Sequence, residues 1–404
     1  MLVMASPALG AGEPPSREPR FGGPDAVDNQ LRTDAEERSS TFELGVLDDY
    51  RAWKRQLRED TGLQFAADYT SLGLAAAGGE GRDRAASGMV RLFGAFELLD
   101  RDGSHPGAFI WKLEHRHRYS HIPPSEYGFQ AGYVGITSPP FSDQGFRVTN
   151  LYWRQRFADG RFALLLGFLD ATDYLDVYSL ASPWTGFANL VFSTGSASIA
   201  LPNDALLGIA AGGMLTEHLY LIGGVGDANG NPENPFKGFE TLFDDHELFS
   251  HVELGWTSAQ DHIALDNVHL SFWHVDDRSR AGTPDGLGVN VSASWLLRER
   301  WLPFLRAGWA RDGGSLLEAT VSAGFGYHTF GGRDQLGVAA NWGRPNADTF
   351  GPALDDQWSL EVFYRWQLLD MLAVTPDLQV WIDPAQSPDD GATWVFSLRL
   401  RFAL

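Results

Sequence analysis

The chain has 404 residues, a formal net charge of −21 and no cysteine. The acidic balance disfavours nucleic acid as a partner, because the chain has no excess of basic residues to neutralise phosphates. The 45 glycines and 13% aromatic residues suit a β-barrel, although a soluble propeller has a similar composition. No run of 18 or more apolar residues predicts a transmembrane helix.

The first sixty residues are predicted to form two parts. Residues 1–40 begin with a short apolar stretch that resembles the remnant of a signal peptide but lacks a basic start. Residues 12–40 are rich in proline, glycine and charge and are predicted to be disordered. Residues 41–61 are predicted to form a short periplasmic helical segment, centred on a helix over 47–60. Its apolar side chains recur at helical spacing: Leu47, Tyr50, Trp53 and Leu57.

From residue 62 to residue 404, alternating polar and apolar residues predict one transmembrane β-barrel domain. Segment 189–201 alternates in the same way but is placed in a loop. The sixteen predicted strands are 63–72, 88–99, 108–118, 147–157, 161–170, 205–215, 218–226, 247–257, 266–276, 286–297, 300–310, 316–328, 334–344, 357–368, 373–382 and 393–403.

The predicted connections mostly alternate between long and short, as in outer-membrane barrels. An even number of strands places both termini at the same, periplasmic end. A propeller would repeat a blade signature about every 40–50 residues, and no such repeat is present. The pattern therefore predicts an all-β, sixteen-stranded antiparallel barrel.

The last strand shows which face meets water. Arg399 and Arg401 share one face, and Phe396, Leu398 and Leu400 share the other. A strand with arginines along one face cannot bury both faces in a dry core. One face therefore meets lipid and the other lines a wet lumen. Sixteen strands are enough to leave an aqueous channel.

The longest connection, 171–204, is too apolar to extend into solvent and is predicted to fold inward and narrow the channel. Arginines, carboxylates and aromatic rings suit sugars, because hydroxyls exchange hydrogen bonds with the charged groups while C–H faces rest on rings. An alternative is a ladder of charges that holds the barrel's shape and binds nothing. The predicted constriction residues are Glu97, Glu114, Arg116, Arg118, Arg154, Arg156, Trp184, Phe187, Glu361 and Arg365.

No catalytic, metal or cofactor site is predicted. His115, His117 and His121 are close in sequence, but no clear third or fourth zinc ligand follows. The paired aspartates lie in loops without an apolar pocket that would raise a pKa. Nucleophile-elbow, phosphate-binding and dinucleotide motifs are absent from the sequence.

The C-terminal sequence EVFYRWQLLDMLAVTPDLQVWIDPA, residues 361–385, resembles the carbohydrate-selective porin family of the OprB type. That family typically has a Glu-x-Phe-Tyr-Arg strand, then a Thr-Pro-Asp-x-Gln strand, then an Asn- or Asp-Pro turn. Residues 44–71 resemble the helix that leads into the family's first strand, and residues 220–230 resemble a mid-barrel strand ending in Asp-Ala-Asn. The chain departs from the usual terminal phenylalanine of such barrels, since it ends Phe402-Ala403-Leu404.

The resemblance implies a porin in the outer membrane of a Gram-negative bacterium that passes monosaccharides such as glucose without catalysis. The expected partners are small sugars and outer-membrane lipid, and the porin is expected to be a monomer or a homotrimer. The arginines leave open a general or anion-preferring porin. A further alternative is an outer-membrane enzyme or a soluble sugar-binding β-protein. We expect Arg116→Ala or Arg154→Ala to alter sugar flux and leave folding intact.

Overall fold

The computed structural model describes residues 21–35, 39–78, 83–101, 103–351 and 354–404. Sixteen antiparallel strands pair with their neighbours in chain order, and the last strand closes the barrel against the first. The predicted all-β architecture and its strand count are confirmed. Among the described residues, no helix is both long enough and apolar enough to cross a membrane.

The strands begin and end close to their predicted bounds. They are β1 (Leu63–Ala77), β2 (Arg84–Leu99), β3 (Gly107–Arg118), β4 (Gly145–Phe157), β5 (Phe162–Leu169), β6 (Leu206–Met214), β7 (Leu219–Asp227), β8 (Leu248–Thr257), β9 (Asn267–Val275), β10 (Gly286–Ser294), β11 (Trp301–Asp312), β12 (Leu317–Thr329), β13 (Asp334–Pro345), β14 (Gln357–Leu369), β15 (Leu372–Ile382) and β16 (Ala392–Ala403). Segment 189–201 contains 3-10 turns, in agreement with its placement in a loop.

The first two strands are longer than predicted, so the connection between them is 78–83 instead of 73–87. Residues 73–77 are Gly, Leu and three Ala, and small residues give little alternation for the sequence to show. Their backbones nevertheless pair on both sides, with Ala75 opposite Phe396 of β16 and Arg84 of β2. Main-chain hydrogen bonding therefore extends the sheet where the side chains carry no pattern.

Within the described ranges, five α-helices accompany the barrel. They are α1 (Val27–Ala35), α2 (Asp48–Thr61), α3 (Pro124–Gln130), α4 (Lys237–Glu240) and α5 (Ala347–Phe350). Helix α2 lies within one residue of its predicted bounds. The helix is capped after Thr61 by Gly62, whose φ of 80° is readily adopted by glycine and whose N–H donates to the carbonyl of Arg58 at 2.8 Å.

The two faces of the strands have opposite character, as the alternation predicted. On β16, Phe396 and Leu398 are 54% and 46% exposed, whereas Arg399 on the other face is 2% exposed. The same alternation holds on β4, where Arg154 and Arg156 are buried inside and Leu151 points outward. The outer faces therefore form an apolar wall, and the charged faces line the lumen.

The connections differ between the two ends of the barrel. At the end that includes 100–106, 158–161 and 370–371, most connections are short, and we call it the short-turn end. The opposite end carries 119–144 and 170–205, and we call it the long-loop end.

Residues 21–35 fold inside the lumen, which corrects the predicted disorder of 12–40 for this part. Val27 and Leu31 of α1 are buried in one apolar cluster with residues of the barrel wall. Two apolar side chains cannot support a helix alone, but the lumen supplies both apolar contacts and charged partners. Residues 1–20 and 36–38 lie outside the described residues, so the signal-peptide remnant stays a prediction.

Candidate solute channel

The loop 170–205 folds deep into the lumen and is held there through its backbone. The guanidinium group of Arg399 donates to the carbonyls of Pro183 at 2.5 Å and Gly186 at 2.8 Å. The carboxylate of Glu361 accepts a hydrogen bond from the backbone N–H of Asn189 at 3.0 Å, and it is fully buried. Glu361, a predicted constriction residue, therefore anchors the loop and does not face a passing solute.

A second buried anchor holds the start of the loop. Asp176 pairs with the guanidinium of Arg306 and accepts from His269 Nε2 at 2.8 Å and from the N–H of Gly195 at 2.7 Å. Burial alone would raise the pKa of Asp176, but the charge of Arg306 and the hydrogen bonds lower it below its usual value. The Asp176 carboxylate is therefore stable in its charged form inside the lumen.

Phe187 is not available as a stacking platform, contrary to the prediction. Its ring is fully buried and packs against Phe192, Phe304 and Phe363 at centroid distances of 5.0, 5.8 and 4.9 Å. The apolar stretch of the loop buries this ring against the wall, as the hydrophobic effect favours.

Three of the predicted charged residues form ion pairs, either near the end of the loop 170–205 or at the rim of the long-loop end. Glu114 accepts a hydrogen bond from Arg116 Nε at 2.8 Å. The carboxylate of Asp204 pairs with both Arg116 and Arg147, each at 3.2 Å. Although burial opposes ionisation, these two arginines lower the pKa of Asp204. Arg118 instead pairs with Asp143 at 3.1 Å, half exposed, at the long-loop end.

The arginines of β4 hold the N-terminal segment. Asp28 of α1 pairs with Arg154 and, at 2.8 Å, with Arg156. The sequence placed these arginines correctly on the lumen face but did not identify their partner. At the short-turn end, Glu97 accepts from Gln64 at 3.1 Å, away from the loop.

A cavity of about 290 Å³ remains between the N-terminal segment, the inward loop and the wall. Of the ten predicted constriction residues, Trp184 and Arg365 line it. The structure adds others that the sequence did not select for the site. Its charged and aromatic lining is Asp25, Arg32, Arg91, Trp184, Asp261, His328, Arg365 and Arg401.

Arg91 contacts both a carboxylate and an aromatic ring at this cavity. Asp68 accepts from Arg91 Nε at 2.9 Å and from Arg401 Nη2 at 2.7 Å, so one carboxylate fixes both guanidinium groups. The Arg91 guanidinium lies 4.3 Å from the ring centroid of Trp184. Among the described residues, Arg91 Nη1 has no hydrogen-bond partner. The half-buried Asp25 lines the same cavity and accepts from Ser182 Oγ at 2.7 Å. Loss of water around its carboxyl raises its pKa.

The family model for the carbohydrate-selective porin, OprB family, matches residues 92–283 and 264–404. No match was found among the curated proteins compared. Family and fold are those of transport channels, so the enzyme and soluble-protein alternatives are set aside.

Solved structures match over most of the chain. A high-pH structure of Pseudomonas putida OprB has 16% identity and a TM-score of 0.70, covering 88% of this chain and 97% of that one. A low-pH structure of the same porin has 12% identity and a TM-score of 0.53, with coverages of 89% and 98%. A mutant of Rh. blastica porin has 12% identity and a TM-score of 0.52, with coverages of 85% and 100%. With the barrel, its lumen and the family match together, the chain belongs to the OprB family of carbohydrate-selective porins.

Proposed function

We propose that this porin passes neutral monosaccharides, glucose among them, by passive diffusion across the outer membrane of a Gram-negative bacterium. We further propose that the cavity beside Trp184 holds the sugar during passage. The observation that carries this proposal is the pairing of Arg91 with the Trp184 ring inside that cavity.

The chemistry of the cavity suits a polyol. The indole ring of Trp184, which is 7% exposed, adds apolar surface to the lining, where it can meet sugar C–H groups. Beside it, Arg91 Nη1 is a buried donor without a hydrogen-bond partner among the described residues. Asp25 and the side chains of Ser182 and Gln335 add acceptors and donors. A volume of about 290 Å³ is close to the lower limit of small-molecule sites, roughly 300 Å³.

Two inward segments reduce a wide barrel to this size. The loop 170–205 supplies Trp184, and the N-terminal segment supplies Asp25 and the helix that Asp28 ties to β4. Both segments are anchored by buried charges, which resist displacement because an unpaired buried charge is costly. The passage is therefore set by folded protein and not by a mobile gate.

Planar-bilayer conductance with added sugar tests the proposal. We expect glucose to reduce the ion current at millimolar concentration and liposomes to swell in glucose faster than in a disaccharide of the same osmolarity. A current that glucose leaves unchanged, together with equal swelling rates, would reject sugar selectivity.

A second candidate function is an anion-preferring channel, and the cavity lining favours keeping it. Its guanidinium groups belong to Arg32, Arg91, Arg365 and Arg401, whereas its carboxylates belong to Asp25 and Asp261. The reversal potential in a salt gradient separates the two functions. A strong chloride preference without block by sugar would support the anion channel.

A further inference from the structure

The segment 40–61 lies at the rim of the barrel at the short-turn end, where Lys54 also pairs with Asp34 of α1 at 2.5 Å. At one end, the N–H of Phe42 donates to the carbonyl of Leu368 at 3.0 Å, and Trp366 Nε1 donates to Thr41 Oγ1 at 2.7 Å. Trp366 lies on the apolar outer face of β14, since it alternates with the buried lumen residue Gln367. The segment therefore starts against the lipid-facing side of the wall.

Its other end also meets the outer face. The Trp53 ring of α2 packs edge-on against Phe65 at 6.0 Å between centroids. Phe65 points outward, because its neighbour Ala66 is buried on the lumen side of β1. Both attachment points therefore lie on the outer face of the wall at the short-turn end.

Along the segment from Phe42 to Trp53, four large apolar side chains have half or more of their surface exposed. The exposed fractions are 56% for Phe42, 60% for Leu44, 64% for Val46 and 50% for Trp53. Outward residues of the wall, such as Phe396, have similar exposure because lipid covers them. The four side chains continue that wall beyond the strands, and an exposed apolar patch of this kind marks an interaction surface.

The opposite side of α2 is basic. A cavity of about 580 Å³ lies between α1, α2 and the ends of β1 and β2. Arg55 and Arg101 line it and form no ion pair with another described residue. The charged lining comprises five basic side chains, Arg51, Lys54, Arg55, Arg58 and Arg101, and three acidic ones, Asp34, Glu59 and Glu97.

We propose that residues 40–61 are an interfacial anchor that binds phospholipid of the membrane leaflet at the short-turn end. Phe42, Leu44, Val46 and Trp53 enter the boundary between headgroups and acyl chains, and Arg55 and Arg101 contact phosphate groups. Helices with an apolar and a basic side lie in this plane, and tryptophan concentrates there. The proposal rests on the membrane location proposed above.

The absence of cysteine makes a site-specific test direct, because one introduced cysteine carries the only spin label. The test variants are Leu44→Cys and Val46→Cys in vesicles of phosphatidylethanolamine and phosphatidylglycerol. Leu398→Cys on the outer wall is the lipid control, and Arg300→Cys in an exposed turn at the same end is the water control. Collisions with oxygen report lipid, and collisions with a nickel chelate report water.

We expect the labels at 44 and 46 to be shielded from the chelate, as the label at 398 is. Chelate access equal to that of the label at 300, with the label at 398 still shielded, would overturn the anchor. If the label at 398 is also open to the chelate, the membrane location itself fails instead.

The phosphate contacts are tested separately with Arg55→Gln plus Arg101→Gln, combined with the label at 46. We expect the double variant to increase the access of the nickel chelate to the label at 46. Arg84→Gln, at the long-loop end, is the control and should leave that access unchanged. Vesicles without phosphatidylglycerol should reproduce the shift if the anchor selects anionic lipid. An unchanged label depth in the double variant would reject the assignment to Arg55 and Arg101.

Discussion

The guanidinium group of Arg91 lies over the indole ring of Trp184, 4.3 Å from its centroid, and its Nε donates to Asp68 at 2.9 Å. A cation–π contact shielded from water contributes up to about 2 kcal/mol. Trp184 belongs to the inward loop and Arg91 to the wall, so this contact fixes the ring that we propose as the sugar platform.

Trp184→Ala is expected to weaken block by glucose. Loss of an aromatic stacking partner costs about 0.5–1.5 kcal/mol, which corresponds to a half-blocking concentration roughly two- to tenfold higher. Trp184→Phe should keep most of the block, and Trp394→Ala on the outer wall is the matched control. Sugar titrations of bilayer current measure all three, and an unchanged titration in Trp184→Ala would contradict the platform.

Asp28→Asn is expected to loosen the N-terminal segment in the lumen. The substitution leaves Arg154 and Arg156 without their shared carboxylate, and breaking a buried pair costs up to about 3–5 kcal/mol, less here because the pair is partly exposed. Single-channel conductance should rise and become noisier. Asp49→Asn, at an exposed position of α2, should behave as the unchanged protein, and equal conductance in both variants would argue against a structural role for Asp28.

Arg116→Ala and Arg118→Ala should differ, although both residues lie on the lumen face of β3. Arg116 is buried between Glu114 and Asp204, so its removal should free the end of the loop 170–205. Arg118 pairs with Asp143 at the exposed rim, where an ion pair contributes about 0–1 kcal/mol. Limited proteolysis of the loop distinguishes them: faster cleavage is expected for Arg116→Ala alone, and equal rates would contradict the anchoring role.

Acidification should release the same loop end below the ordinary titration range of aspartate. Arg116 and Arg147 lower the pKa of Asp204 in the fold below its usual 3.8. A carboxyl group with a lowered folded-state pKa contributes stability that is present above pH 3.8 and is lost as pH falls through the folded value. Burial raises the pKa values of Asp170 and Asp173 at the start of the loop, so those residues respond at higher pH than Asp204. The response that belongs to Asp204 is faster cleavage near residue 204 below about pH 4.

Asp204→Asn is the control for this pH dependence. It should show faster cleavage of the loop already at neutral pH and a smaller change on acidification. Cleavage near residue 204 that does not change below about pH 4 in the unchanged protein would contradict the role of Asp204. Asp176, whose pKa is also lowered, is expected to add to the acid response, so the variant reduces it and does not abolish it.

The barrel was largely predictable because strand periodicity is local. Alternation along β16 and β4 assigned the faces correctly, and the small residues at the end of β1 and the start of β2 hid the true lengths of these strands. The channel was less predictable because its charges pair over long sequence distances. Arg154 pairs with Asp28, which lies 126 residues earlier in the chain, in a segment whose composition indicated disorder. The alternation of polar and apolar residues along a strand shows that an arginine faces the lumen. It does not show which carboxylate pairs with that arginine.

The aromatic residues of the inward loop illustrate the same limit. Trp184 and Phe187 are three residues apart in one apolar stretch, so the sequence treats them alike. In the fold, one ring lines the cavity and the other is enclosed by the phenylalanines of the wall. Which ring lines the cavity depends on the path of the backbone, which Arg399 and Glu361 hold from distant strands.

The anchors of the loop 170–205 also determine when the channel can acquire its final bore. Glu361 and Arg399 follow the loop residues that they hold by 172 and 216 positions, so the loop cannot reach its final place until the closing strand has entered the wall. Contacts over such distances form late, because long loops must close first. A barrel that has not yet closed would therefore lack its constriction and would not select among solutes. Selectivity appears only when the last strand has paired with the first.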